Sequence, residues 1–304
     1  MIDSFLSSWD LFHHAYLAGW IAGVVLSLAG FLLVARNQVF LGAAVSEFSA
    51  FGLALVTVAG AWAGSRAGID AEAFQYHPGH DHSTGLPFPF NWMAHPAFSA
   101  VVAMVFAAAA ACLTGLSSFR RESREAVSAG LFLFGAAATV LLLINTAHGA
   151  EQINHVMFST LIGATSTDVW ILLGFLVVWA AGVLPRRREF LLFVTDPASA
   201  AACGVPVRVW SFAAYAFVGL LTGFSLRASG MLYTFGCLVL PVMAARGFAR
   251  EGRTILWLAP ALSLAAGVSG FVLANHHDLP PAQGVVLLLS LIWASGLLFR
   301  RLRG

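Results

Sequence analysis

Five histidines and two glutamates sit at positions that suit a divalent transition metal, and they fall in three places along the chain. The stretch from Tyr76 to His82 reads YHPGHDH, so His77, His80 and His82, with Asp81 between the last two, can share one ion. Pro78 and Gly79 mark this stretch as a loop that must be ordered on binding, which costs conformational entropy and predicts weak, exchangeable binding. His148, Glu151 and His155 recur at i, i+3 and i+7, one face of a helix if the chain is helical there, and two imidazoles with a carboxylate form an adequate zinc set. Their place at the end of an apolar run suits ordinary interfacial polar groups equally well. Glu47 stands apart, inside an apolar run, where an ionised carboxylate costs about 2.5 to 3.5 kcal/mol unless it faces a cavity or a partner. Its small neighbours Ala43, Ala44, Ser46, Ala50 and Gly52 allow either a lined cation path or close packing around a hydrogen-bonded structural carboxylate.

Other reactive groups carry less. Asp168 closes the run TSTD ahead of apolar residues, which reads as a capped helix start more readily than as a metal contact. Cys112, Cys203 and Cys237 are far apart with no CxxC and read as small buried hydrophobes, with Cys237 a soft-ligand alternative. No HExxH occurs, which removes the usual helix of a metalloprotease. All sixteen basic residues are arginine, so the lysine of a nucleotide-binding phosphate loop is missing and the chain cannot hydrolyse ATP by that route.

The elements that must position these groups are membrane helices. Of 304 residues, 59% are hydrophobic and 10% charged, an excess of apolar side chains that a water-soluble core would not need. About 20 apolar residues cross a bilayer, and such runs appear at about 15 to 35, 41 to 62, 97 to 118, 127 to 147, 156 to 185, 207 to 226, 230 to 246, 255 to 274 and 281 to 299. The fold class is therefore all-α, a polytopic bundle of about nine transmembrane helices. The fifth run contains Ser159, Thr160, Gly163, Thr165, Ser166, Thr167 and Asp168, which predicts a broken or partly re-entrant helix buried against protein. The first fourteen residues contain no Lys or Arg, so the first run is expected to be retained rather than cleaved as a signal peptide.

With nine alternating spans and the N-terminus outside, fourteen arginines fall on the inner side and only Arg66 and Arg227 on the outer side. The same assignment places all ten histidines at the outer side or at outer helix ends. A histidine-lined outer entrance suits uptake of a borderline metal such as zinc, while histidine as a polar filler of outer loops is the plainer alternative. The net charge of +2 is too small to point to nucleic acid.

Several segments, in order, resemble the permease subunits of zinc and manganese uptake ABC transporters. RNQVFLGAAVSEFSAFG at 36 to 52 is similar to the stretch after the family's first span, and MFSTLIGATSTDVWIL at 157 to 172 to its short glycine-containing segment followed by an acidic residue. SGMLYTFGCLVLPVMAAR at 229 to 246, with Gly230 and Pro241 as helix-packing positions, resembles the apolar run ending in proline and small residues. DLPPAQGVVLLLS at 278 to 290 resembles the lead into the last span. TDPASAAACGV at 195 to 205 resembles the cytoplasmic coupling helix that docks into the ATPase. The residues themselves fit such a helix: Asp196 can cap it, Pro197 suits its first position, Ala200 and its small neighbours allow close docking, and Gly204 can end it. Where the family carries an aspartate and then a histidine in the second span, this chain has Ala43 and Glu47, and the coupling stretch has Ala198 and Ser199 in place of an acidic and an aromatic residue.

The resemblance implies a single permease domain over 1 to 304, with a periplasmic loop at 63 to 96 and a cytoplasmic coupling segment at 186 to 206. It implies a homodimer in the bacterial inner membrane, N-terminus periplasmic and C-terminus cytoplasmic, with separate ATPase subunits below and a periplasmic metal-binding protein above. No cofactor is expected to be permanently bound; Zn2+, or else Mn2+, is the expected cargo. The rival from another class is an ion-gradient-driven metal transporter, which should carry paired His, Asp or Glu ligands in mid-membrane, where this sequence clearly places only Glu47.

Overall fold

The structure is a computed structural model and describes residues 2–68, 95–116, 124–144, 163–277 and 279–303. The described residues form ten helices and no strand. They are α1 (Ile2–Ala35), α2 (Val39–Arg66), α3 (Pro96–Leu116), α4 (Arg124–Leu143), α5 (Ser166–Val183), α6 (Arg187–Thr195), α7 (Pro197–Ala202), α8 (Val207–Phe248), α9 (Gly252–His276) and α10 (Pro281–Arg303). All except α6 and α7, eight helices, are long and apolar enough to cross a membrane. Their outward side chains, Trp170, Leu141 and Leu287 among them, are exposed, which suits a surface solvated by lipid tails.

The eight helices make nine passes, because α8 is folded double. At Gly230 its backbone takes φ 77°, ψ 167°, a region essentially closed to residues with a side chain. Contacts with α1 show the reversal. Tyr215 donates to the Gln38 side chain just beyond the end of α1 (2.6 Å), Tyr233 donates to the Gly19 carbonyl (2.7 Å), and Arg246 returns to the Val34 carbonyl (3.0 Å). The runs expected separately at 207 to 226 and 230 to 246 are thus the two limbs of one bent helix.

The remaining directions follow from similar pairings. A three-residue turn with Asn37 at φ 53°, which asparagine tolerates, lets Gly30 and Gly42 approach the same residue, Leu238, so α2 doubles back on α1. In α3, Gly115 lies against the Tyr215 ring and Met104 against Gly223, so α3 opposes the first limb of α8. Phe40 meets Phe132 and Phe48 meets Phe134, so α4 runs with α2. Phe175 packs between Phe217 and Phe224, and Asp168 pairs with Arg227, so α5 opposes the same limb. Phe271 packs on Tyr16 while Gly252 faces Phe31, so α9 opposes α1, and α10 follows the second limb of α8 through Val286 on Gly236 and Gly296 on Gly247.

Every pass therefore reverses the one before it, and the first and last described residues lie at opposite ends of the bundle. The positions of Arg36, Arg124, Arg186, Arg187, Arg188, Arg208, Arg246, Arg250, Arg253, Arg300, Arg301 and Arg303 fall at one end, with Arg66 and Arg227 toward the other. His13, His14, His95, His276 and His277 share the end of Arg66. Arg120 and Arg121 lie outside the described residues.

The fifth pass is helical over Ser166–Val183, beginning within the polar interruption. Helices α1 and α2 and the two limbs of α8 are mostly buried, whereas α4, α5 and α10 have few buried residues. Close contact at the centre needs small residues: a Cβ on Gly219 would lie 2.4 Å from the Ala108 backbone of α3.

Candidate functional site

At the arginine-rich end, between the fifth and sixth passes, α6 and α7 form a short helical pair. Helix α6 is amphipathic: Phe190, Phe193 and Val194, at i, i+3 and i+4, are buried, with Phe190 against Phe31 of α1 and Phe193 6.0 Å from the Trp210 ring of α8. Helix α7 is closed at both ends by its own residues. Asp196 accepts from the N–H groups of Ala198 (3.0 Å) and Ser199 (3.1 Å) and from the Ser199 hydroxyl, and Pro197 occupies the first helical position. The Ser199 hydroxyl and these N–H groups hold the Asp196 carboxyl below its usual range. At the other end Gly204 takes φ 82°, its N–H reaching the Ala201 carbonyl while the Val205 N–H reaches that of Ala200. Ala200 is buried, and Asp196, Pro197, Ala198 and Ser199 are exposed, so one face of α7 is anchored and the other is open.

A polar node ties this pair to the membrane helices, and sequence reasoning missed it. Arg36, at the end of α1, donates to the Phe193 carbonyl of α6 at 2.8 Å, with its guanidinium 4.1 Å from the centre of the Phe193 ring. The same guanidinium donates to the hydroxyl of Tyr215 at 3.4 Å, and that hydroxyl itself donates to Gln38. Topology alone makes Arg36 a charge on the inner side; the polar run Arg36, Asn37, Gln38 between two apolar spans is the signal that points further.

At the opposite end, Thr165 caps α5 with its hydroxyl, and Asp168, three residues on, accepts from the Thr165 N–H at 2.8 Å. Asp168 is also ion-paired with Arg227 of α8, three residues before the Gly230 reversal. The helix-start role expected of Asp168 is present, and the ion pair adds a second one.

Of the candidate metal residues, Glu47 alone is described. It is 7% exposed, on the second pass, and has no hydrogen-bond or ion-pair partner among the described residues. Helix α4 closes over it at Gly135, where a Cβ would come within 3.2 Å of the Glu47 Cβ. Nearby on α2, Ser46 donates to the Gly42 carbonyl at 3.0 Å, while the buried Ser49 hydroxyl has no partner among the described residues. His77, His80, His82, His148, Glu151 and His155 lie outside the described residues, and among the described ones no three His, Cys, Asp or Glu side chains come together. Gly230 and Pro241, expected to pack helices, are both buried in α8. Of the cysteines only Cys237 is buried; Cys112 is half-buried, and Cys203 is exposed because it follows the last turn of α7 on the surface, which corrects the expectation of three buried hydrophobes.

Comparison with known proteins fits this architecture. Residues 79–300 match the ABC 3 transport family. The chelated iron transport system membrane protein YfeD of Yersinia pestis is 25% identical over 218 residues, 70% of this chain and 71% of that one. The manganese import system permease protein ScaB of Streptococcus gordonii is 20% identical over 296 residues, 96% of this chain and 94% of that one. Among solved structures, PsaBC from Streptococcus pneumoniae in complex with Fab superposes with a TM-score of 0.72 at 17% identity, covering 97% of this chain and 95% of that one. The chain belongs to the ABC 3 transport family and is a membrane permease of ABC-type metal transport.

Proposed function

We propose that two copies of this chain form the membrane pathway of an ATP-driven importer for a divalent first-row transition metal. The observation that carries this reading is α7, capped at both ends, exposed on one face and tied through α6 and Arg36 to the α1–α2 turn. An ATP-driven importer built on a chain without lysine takes its ATPase from a partner, and α7 is the surface offered to it. The arginine-rich end faces the cytoplasm by the positive-inside rule, and the histidine end receives metal from a periplasmic binding protein. Transport proceeds by alternating access, which requires only that the ATPases favour one arrangement of the helices over another.

Support for zinc rests on the histidines, whereas relatives are named for manganese and chelated iron, and a carboxylate such as Glu47 suits manganese. Manganese is therefore the first cargo to test, ahead of iron and zinc. In proteoliposomes containing the chain and its ATPase, uptake of manganese should require ATP. Uptake by the chain alone, driven by an ion gradient, would replace this reading with that of a secondary transporter.

A further inference from the structure

Beside the α6–α7 pair lies an apolar crevice of about 170 Å³, open on the outer surface of the bundle. Leu28 and Leu32 of α1 form its floor, Val178 and Gly182 of α5 one wall, and Trp210 and Phe217 of α8 the other. A crevice lined almost wholly by apolar side chains and open on the outer surface of a membrane bundle suits an apolar occupant. Its position fixes the chemistry of that occupant. Arg186, Arg187 and Arg188 follow closely on the α5 wall, and Arg208 precedes Trp210 on the α8 wall. All four are exposed, and none has an ion-pair partner among the described residues. Glu189 is the one acidic residue adjoining this arginine run.

We propose that the crevice holds one acyl chain of an anionic phospholipid whose headgroup phosphate is held by this arginine group. An apolar slot whose lining residues Val183, Phe190 and Trp210 stand within a few positions of four exposed arginines, against the single carboxylate of Glu189, complements a molecule with an apolar tail and an anionic head, and guanidinium binds phosphate through paired N–H donors. A zwitterionic lipid of the same chain length fills the slot but gains less from the arginines. The site adjoins α6, so an occupied crevice braces Phe190, which also lines it.

The test is native mass spectrometry of the full chain in detergent, titrated with phosphatidylglycerol or with phosphatidylcholine of matched chains. Phosphatidylglycerol should bind at least about fivefold more tightly, the gain expected of roughly 1 kcal/mol or more from basic groups near an anionic headgroup. Gly182→Phe adds a ring at a residue that lines the slot, where the Cβ itself meets nothing within 4 Å, and should remove the tight adduct. Arg187→Gln with Arg208→Gln should leave binding but abolish the preference for the anionic lipid. Equal binding of the two lipids, or an unchanged adduct in Gly182→Phe, overturns the proposal. So does a disulfide between two copies carrying Val178→Cys, made without Cys112 and Cys203, because it would show a second copy covering the crevice.

Discussion

Arg36 and Phe193 are joined twice, by a 2.8 Å hydrogen bond from the guanidinium to the Phe193 carbonyl and by the guanidinium lying 4.1 Å from the Phe193 ring centre. The pair links the turn between the first two passes to the helix that precedes α7. The helix next to α7 thus touches the α1–α2 turn directly, beside its contact with Trp210 of the sixth pass. Replacing Arg36 by Gln should cost about 2 kcal/mol, as expected for a hydrogen bond to a charged group, read as thermal unfolding in detergent. In proteoliposomes it should also raise the ATP hydrolysed per metal moved, whereas Tyr215→Phe should cost only about 1 kcal/mol.

The ion pair between Asp168 and Arg227 holds the start of α5 to the first limb of α8. Arg227→Ala leaves Asp168 buried with only the Thr165 contacts. The expected loss is about 3 kcal/mol, the low end for breaking a buried pair, because Arg227 keeps 17% side-chain exposure. Asp168→Asn combined with Arg227→Gln should recover part of it, measured as a double-mutant cycle.

Gly230→Ala places a side chain where the backbone has φ 77°, ψ 167°. A strain of about 1 to 3 kcal/mol is expected. Gly174→Ala, on an open face of α5, should change stability little by comparison.

Glu47 is the one described candidate for contact with the cargo in mid-membrane. Glu47→Gln keeps the shape and removes the charge. It should leave the unfolding temperature the same or higher and lower manganese uptake at least about tenfold, read by isotope uptake in cells. Unchanged uptake would make Glu47 a structural residue.

Asp196 gives a dependence on pH. Its carboxyl is held below the ordinary range in the folded chain, so the stability it lends α7 is complete above the unfolded value and is lost as pH falls through the folded one. Hydrogen exchange at Ala198 and Ser199 should be slow at neutral pH and accelerate on strong acidification, relative to exposed control amides at the same pH. Asp196→Ala should remove that protection throughout.

Much of the bundle is legible in the sequence because lipid demands long apolar runs and arginines mark one side. The caps of α5 and α7 are legible too, since Thr165, Asp196, Pro197 and Gly204 act on their immediate neighbours. The fold-back at Gly230 shows only as a gap between two runs, because φ and ψ are not written in the residue type. The nodes at Arg36 and at Arg227 are not legible: their partners stand 157 and 59 positions away. Such pairings depend on which helices become neighbours, and hydropathy does not encode that.

The one-residue reversal at Gly230 also governs how α8 can move. With no loop to absorb slack, neither limb can slide along its axis without drawing the other, and the bend acts as a fulcrum near the histidine end. A tilt about that bend would be widest at Arg246 and Arg208, at the far ends of the two limbs.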